Sequence, residues 1–120
     1  MAATKTAKTF QSSTTNTAGS TTTGTAVALT TSYGCLMTAT ITNGGTGPTV
    51  ACDFVVEVSN DNFSADTKEV FRATASVANS AVSSFAFELP AAVMYARSKF
   101  TGNTAQSVTV ACTGEELTTI

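Results

Sequence analysis

Val50-Ala51-Cys52-Asp53-Phe54-Val55-Val56-Glu57-Val58-Ser59 is the stretch that decides the fold. Val50, Cys52, Phe54, Val56 and Val58 occupy one phase of a two-residue period, and Ala51, Asp53, Val55, Glu57 and Ser59 the other. Side chains alternate between the two faces of a strand, so this pattern predicts a half-buried β-strand. The first set faces a core. The second mostly faces water, which puts Asp53 and Glu57 on a solvated surface. Asn60-Asp61-Asn62 follows as a turn.

The same alternation recurs on both sides. Upstream, a short strand covers Ala26 to Thr30 and a longer one Tyr33 to Thr42, with Cys35, Met37, Ala39 and Ile41 inward and Thr38, Thr40 and Thr42 outward. Asn43-Gly44-Gly45-Thr46-Gly47-Pro48 breaks the chain into a loop. Downstream, strands are expected over Val70 to Val77, Val82 to Leu89, Met94 to Thr101 and Gln106 to Thr113. Pro90 stops the second of these, since it has no N–H for a ladder. Short strands at roughly ten-residue spacing, with no long helix between them, predict an all-β fold: a single β-sandwich of about seven to eight strands. The spacing leaves jelly-roll and Ig-like connectivity both open. Gly114 to Ile120 is expected to be an irregular tail.

Residues 1–25 read differently from residues 26–120. They are small, polar and Thr/Ser-rich, with Phe10 as the one large hydrophobe and no regular period. They are expected to form an extended polar arm, ahead of a β-sandwich domain over 26–120. Phe10 then either anchors the arm in a neighbour's pocket or lies exposed. Charge is also uneven. Lys5 and Lys8 are the only charged side chains up to Ala51, and all eight acids lie from Asp53 onward.

Composition excludes most chemistry. The chain has no His and no Trp, and only 12% of it is charged, while roughly a fifth is threonine. Without His, a Ser or Cys nucleophile lacks its usual base and a zinc site lacks a common ligand. No enzyme activity, cofactor or metal is expected. Asp61, Asn62 and Asp66 offer oxygens for calcium, but the spacing is not that of an EF-hand loop. A net charge of −2 with six cations is a poor footprint for nucleic acid. No run is long enough to cross a membrane as a helix, and no apolar segment follows Lys5 and Lys8 as in a secretory signal, so synthesis in a cytoplasm is expected. Cys35, Cys52 and Cys112 fall on apolar strand faces and are expected to be buried free thiols.

What remains is recognition of other macromolecules. The uncharged row Thr38, Thr40 and Thr42 is suited to lie under a partner surface, because exposed sheets are ordinarily guarded by charge. Tyr95 and Arg97, with Lys99, form an outward stripe that suits an acidic partner or a sugar. Thr4, Phe10 and Thr21 are the arm's contact candidates.

Two segments together resemble a known group. Val56-Glu57-Val58-Ser59-Asn60-Asp61 is a strand running into a polar turn. Pro90 to Val110 contains Met94-Tyr95-Ala96-Arg97, then Phe100-Thr101-Gly102-Asn103-Thr104, then Ser107-Val108-Thr109-Val110. This resembles small β-sandwich virion proteins of tailed bacteriophages, of the head decoration or cement type. The chain departs from that pattern after the first turn, where Phe63 stands in place of a more usual Trp. The resemblance implies a homotrimer that binds the major capsid protein or another virion protein and clamps adjacent subunits, synthesised in the host bacterial cytoplasm. The alternative is a carbohydrate- or receptor-binding module of a phage tail or adhesin.

Overall fold

The computed structural model describes residues 3–120 and contains strands but no helix among them. Nine strands run in order: β1 Thr4–Asn16, β2 Thr22–Thr23, β3 Val27–Ala28, β4 Cys35–Asn43, β5 Asp53–Ser59, β6 Lys68–Thr74, β7 Val82–Leu89, β8 Tyr95–Thr101 and β9 Val108–Thr119. One sheet has the order β1-β9-β4-β7. The other has the order β2-β8-β5-β6, with β3 also paired to β8. All pairings are antiparallel.

β2 and β3 are two-residue pieces on one neighbour, so they fill a single position and the sandwich has eight. Across those positions the chain pairs its first strand with its last, β2 and β3 with β8, β4 with β7, and β5 with β6. That is a long antiparallel ribbon rolled over on itself, the jelly-roll connectivity, and it decides between the two topologies the sequence left open.

The inner faces meet in a core centred on Phe54 of β5. Its ring lies 5.4 Å from Phe100, 6.1 Å from Phe85 and 6.1 Å from Phe71, so one side chain joins strands of both sheets. Met37, Ile41, Val56, Val110 and Cys112 are fully buried around it. At one end a buried amide clasp closes the stack. Asn16 Nδ2 donates to Asn103 Oδ1 at 2.6 Å, and Asn103 Nδ2 donates back to the Asn16 carbonyl at 3.2 Å and to the Gln106 carbonyl at 2.9 Å. Buried amides satisfied in this way rigidify the loop they sit in.

The division into an arm at 1–25 and a domain at 26–120 is corrected by this structure. Residues 4–16 are the longest strand of the molecule, and Phe10 is 1% exposed, in the core rather than in a neighbour. Threonine is β-branched and suits a strand, but its alternation carries no hydropathy contrast, so the segment read as polar coil. Gly114 makes the seat: a Cβ there would stand 2.5 Å from Phe10 Cε2 and 3.0 Å from Cys35 Sγ. The supposed tail is corrected for the same reason. Gly114 and Glu116 continue the inward phase of β9 to Thr119, and neither looks like a core residue in sequence. Glu116 is 4% exposed and meets Lys8 Nζ at 3.3 Å. Val50, Val77 and Met94, expected inward, lie just outside their strands and are exposed.

Phe10→Ala removes a fully buried ring whose cavity β1 cannot easily collapse into. It is expected to cost about 3–5 kcal/mol, read as a lower urea midpoint with an unchanged slope. Gly114→Val drives its branch into the Phe10 ring and is expected to cost about 1–3 kcal/mol in the same measurement.

Candidate functional site

The two outer faces differ in how their charges are used. On the β2-β8-β5-β6 sheet nearly every charge is paired. Glu57 accepts from Arg97 Nε at 2.8 Å and from Lys99 Nζ at 3.3 Å, and the Arg97 guanidinium sits 4.0 Å over the Phe63 ring. Arg72 bridges Asp53 at 2.7 Å and Glu69 at 2.8 Å. The hydrogen bond from Arg72 is the main cause that holds the Glu69 carboxyl below its ordinary range. Val55 lies between Lys99 and Arg72 in register and is fully buried although it points outward. The stems of long cations cover such a site while their heads stay wet. The expected solvated face of β5 is therefore corrected: Glu57 is 6% exposed, and its partners come from a strand forty residues downstream.

The turn after β5 is likewise self-contained. Asp61 accepts the amides of Ala65 at 2.9 Å and Ser64 and Asp66 at 3.2 Å, plus the Ser59 hydroxyl at 2.9 Å. Those bonds, the Ala65 amide first, hold its carboxyl below the ordinary range. Asp66 accepts the Asn60 amide and pairs with Lys68 at 2.8 Å. The Asp61 and Asp66 oxygens considered for calcium are thus engaged by the loop's own amides, the Ser59 hydroxyl and Lys68, and no group of three or more His, Cys, Asp or Glu side chains able to hold a metal occurs among the described residues.

The outer face of the β1-β9-β4-β7 sheet is the opposite case. Successive ranks across it can be read from the registers. Thr9, Thr113, Thr38 and Ala86 form one. Ala111, Thr40 and Ser84 form the next. Thr15, Thr109, Thr42 and Val82 form the third. None of these side chains is charged, and each is exposed or half-buried. The result is an uncharged field of methyls and hydroxyls bounded by β1 and β7, whose far sides pair with no strand among the described residues. The next rank brings the first charges, Glu88 and Glu115 flanking Leu36.

Of the candidate contact residues, Thr38, Thr40 and Thr42 come together on this face. Tyr95 and Arg97 lie on the other sheet, where Arg97 is tied to Glu57 and Phe63. Thr21 shares a hydroxyl hydrogen bond of 2.8 Å with Thr101 beside that sheet. Thr4 opens β1 opposite Thr119, and its carbonyl accepts the Thr118 hydroxyl. The eight residues therefore do not form one site. Reading only the buried phase of Val108 to Cys112 missed Thr109, Ala111 and Thr113; their alternation with Val108, Val110 and Cys112 is the signal that would have found them.

The thiols add no chemistry of their own. Cys35, Cys52 and Cys112 are free and buried. Burial pushes Cys35 and Cys52 up to about 11 and Cys112 to about 12; the Glu116 and Glu115 carboxylates add to the first and Asp53 to the second. Nucleophilic thiols need the opposite shift.

No known protein family matches this chain, and no curated protein does. Several solved structures share its fold. The SPBc2 prophage-derived protein YomS is similar over 96% of this chain and 96% of its own, at 13% identity and a TM-score of 0.51. A chain of the infectious bursal disease virus, Gx strain, is similar over 95% of this chain at 10% identity and a TM-score of 0.56. This chain spans only 32% of that one. A family 16 carbohydrate binding module is similar over 82% of this chain and 70% of its own, at 12% identity and a TM-score of 0.48.

The raised thiols make stability depend on alkaline pH. An unfolded thiol loses its proton near its ordinary value, whereas the folded one keeps it. The contribution is complete below the ordinary thiol range and is lost as pH rises toward the folded values. Each thiol should forfeit about 1 kcal/mol by pH 10, seen as a falling urea midpoint between pH 8 and 10 that is blunted in Cys52→Ala.

Proposed function

We propose that this chain is a non-enzymatic structural protein of a tailed-bacteriophage virion, a capsid decoration protein that binds across subunit junctions. The observation that carries the reading is the uncharged face of the β1-β9-β4-β7 sheet. Covering it desolvates no ion, so the cost of burial is small, and the hydroxyls can be satisfied by a partner's own main chain or side chains. A protein that works alone has no need of so broad an unguarded sheet with open edges.

Support comes also from the likeness of Val56–Asp61 and Pro90–Val110 to decoration-type virion proteins, and from a jelly roll shared in fold with a prophage-derived protein and a virus chain. With residues 4–16 built into the core, attachment falls to the face rather than to an arm. The partner is the major capsid protein or another virion protein, and the working unit is a homotrimer, whose closed symmetry suits a junction of three subunits. It is made in the host bacterial cytoplasm and joins the virion there. It uses no cofactor, nucleic acid or membrane. A glycan-binding role would have drawn on Tyr95 and Arg97, and Arg97 is already engaged on its own sheet.

The test is co-sedimentation with capsids of the phage whose genome encodes the chain, stripped of this protein. Wild type is expected to pellet with them. Thr38→Lys/Thr109→Lys, at exposed positions two ranks apart where stability changes stay within about 0.5 kcal/mol, is expected to lose attachment at least tenfold, because it buries two unpaired charges. Undiminished attachment by that variant, or none by wild type, overturns the reading. Light scattering of wild type after gel filtration should give three times the chain mass.

A further inference from the structure

Among the described residues the charges sort themselves almost completely. Asp53 and Glu69 pair with Arg72, Glu57 with Arg97 and Lys99, Asp66 with Lys68, and Glu116 with Lys8. Asp61 is saturated by amides. The two remaining acids, Glu88 and Glu115, have neither an ion pair nor such amides, and both line the same cavity. It has a volume of about 330 Å³ and lies on the same sheet face, one rank beyond Thr38 where the uncharged ranks stop.

Leu36 forms the middle of the cavity, flanked in register by Glu115 on β9 and Glu88 on β7. Leu36 is 46% exposed and Tyr33, on the rim, 51%. The rim is stitched to the sheet: the Tyr33 amide donates to the Leu117 carbonyl at 2.8 Å, and the Leu117 amide donates to the Gly34 carbonyl at 2.8 Å. Lys5 stands on the far side, opposite Leu117 on β1. β1 and β7 are three strand spacings apart, about 14 Å, so Lys5 can offset Glu115 but leaves Glu88 uncompensated.

We propose that this cavity receives an arginine side chain projecting from the protein partner that covers the uncharged face. The proposal rests on that reading of the face and names the partner's anchor. An apolar stem lies over Leu36 and against Tyr33, where the ring also attracts the cation. The planar guanidinium then reaches carboxylates on both flanks, a geometry an ammonium serves less well. The rest of the face supplies shape without charge, so this one cation fixes the register in which the partner docks.

The probe is N-acetyl-arginine-N-methylamide, titrated into the labelled full chain and followed by amide NMR shifts. The norleucine and glutamate analogues serve as comparisons. Expected are saturable shifts at Tyr33, Leu36, Glu88, Glu115 and Leu117 with a millimolar dissociation constant, and none with the glutamate analogue. Glu88→Gln/Glu115→Gln should weaken binding about tenfold or more, with an unchanged circular dichroism spectrum. Lys5→Gln should tighten it. Equal shifts from the norleucine analogue, arginine shifts that survive the double Gln variant, or no shifts up to about 50 mM each overturn the proposal. The titration uses no capsid, so its failure leaves the attachment result untouched, and failed attachment leaves the cavity's ligand in place.

Discussion

The structure depends on the antiparallel pairing of the first long strand with the last, with Phe10 seated on Gly114. That contact is possible because position 114 has no side chain, so a ring from β1 can lie where a neighbouring Cβ would be. Without it β9 would be a sheet edge, the β4 inner face would lose a wall, and Cys35 would face water. Lys8 and Glu116 extend the same interlock on the inner face, where a buried carboxylate is tolerated because its cation arrives on the paired strand. The amide clasp of Asn16 and Asn103 then fixes the opposite end of β1. Three dissimilar interactions, apolar, ionic and amide, thus hold one strand along its length. No single one needs a strong hydrophobic pattern.

Because β1 is held from its inner side, its outer side is released from any structural duty. The consequence is a division of labour between the two sheets. The β2-β8-β5-β6 sheet spends its charges on itself: Glu57, Arg97, Phe63 and Lys99 form one cluster, and Asp53, Arg72 and Glu69 another. Such a surface is hydrated and self-satisfied, and a partner would have to strip it. The β1-β9-β4-β7 sheet carries uncharged side chains, mostly threonine and alanine, in place of ions over three ranks, so covering it would desolvate no charge.

The fold was legible wherever hydropathy alternates. Cys52, Phe54 and Val56, and Cys35, Met37, Ala39 and Ile41, are inward as their alternation predicts, and the loops at Asn43–Pro48 and Asn60–Asn62 follow from their turn residues. Illegible were the elements whose burial depends on a distant partner. Phe10 looks like an isolated hydrophobe until Gly114 is placed under it. Glu57 looks solvated until Arg97 and Lys99 arrive from β8. Glu116 looks like the start of a tail until Lys8 reaches it. In each case local sequence carries one half of an interaction whose other half is tens of residues away. The candidate face was half legible: Thr38, Thr40 and Thr42 stood out by their lack of charge, but their neighbours across β9 and β1 could be found only from strand order.

The β1–β9 pairing also sets how the molecule bears load. Thr4 lies opposite Thr119, so both ends of the described chain leave from the same end of one antiparallel pair. Tension applied between them acts across the ladder and opens its hydrogen bonds one after another, starting at the bonds nearest Thr4. Tension that slid β1 along β9, parallel to the strands, would instead load all the ladder's hydrogen bonds at once. The domain is therefore mechanically anisotropic: soft when tugged by its tails, stiff when sheared along its strands.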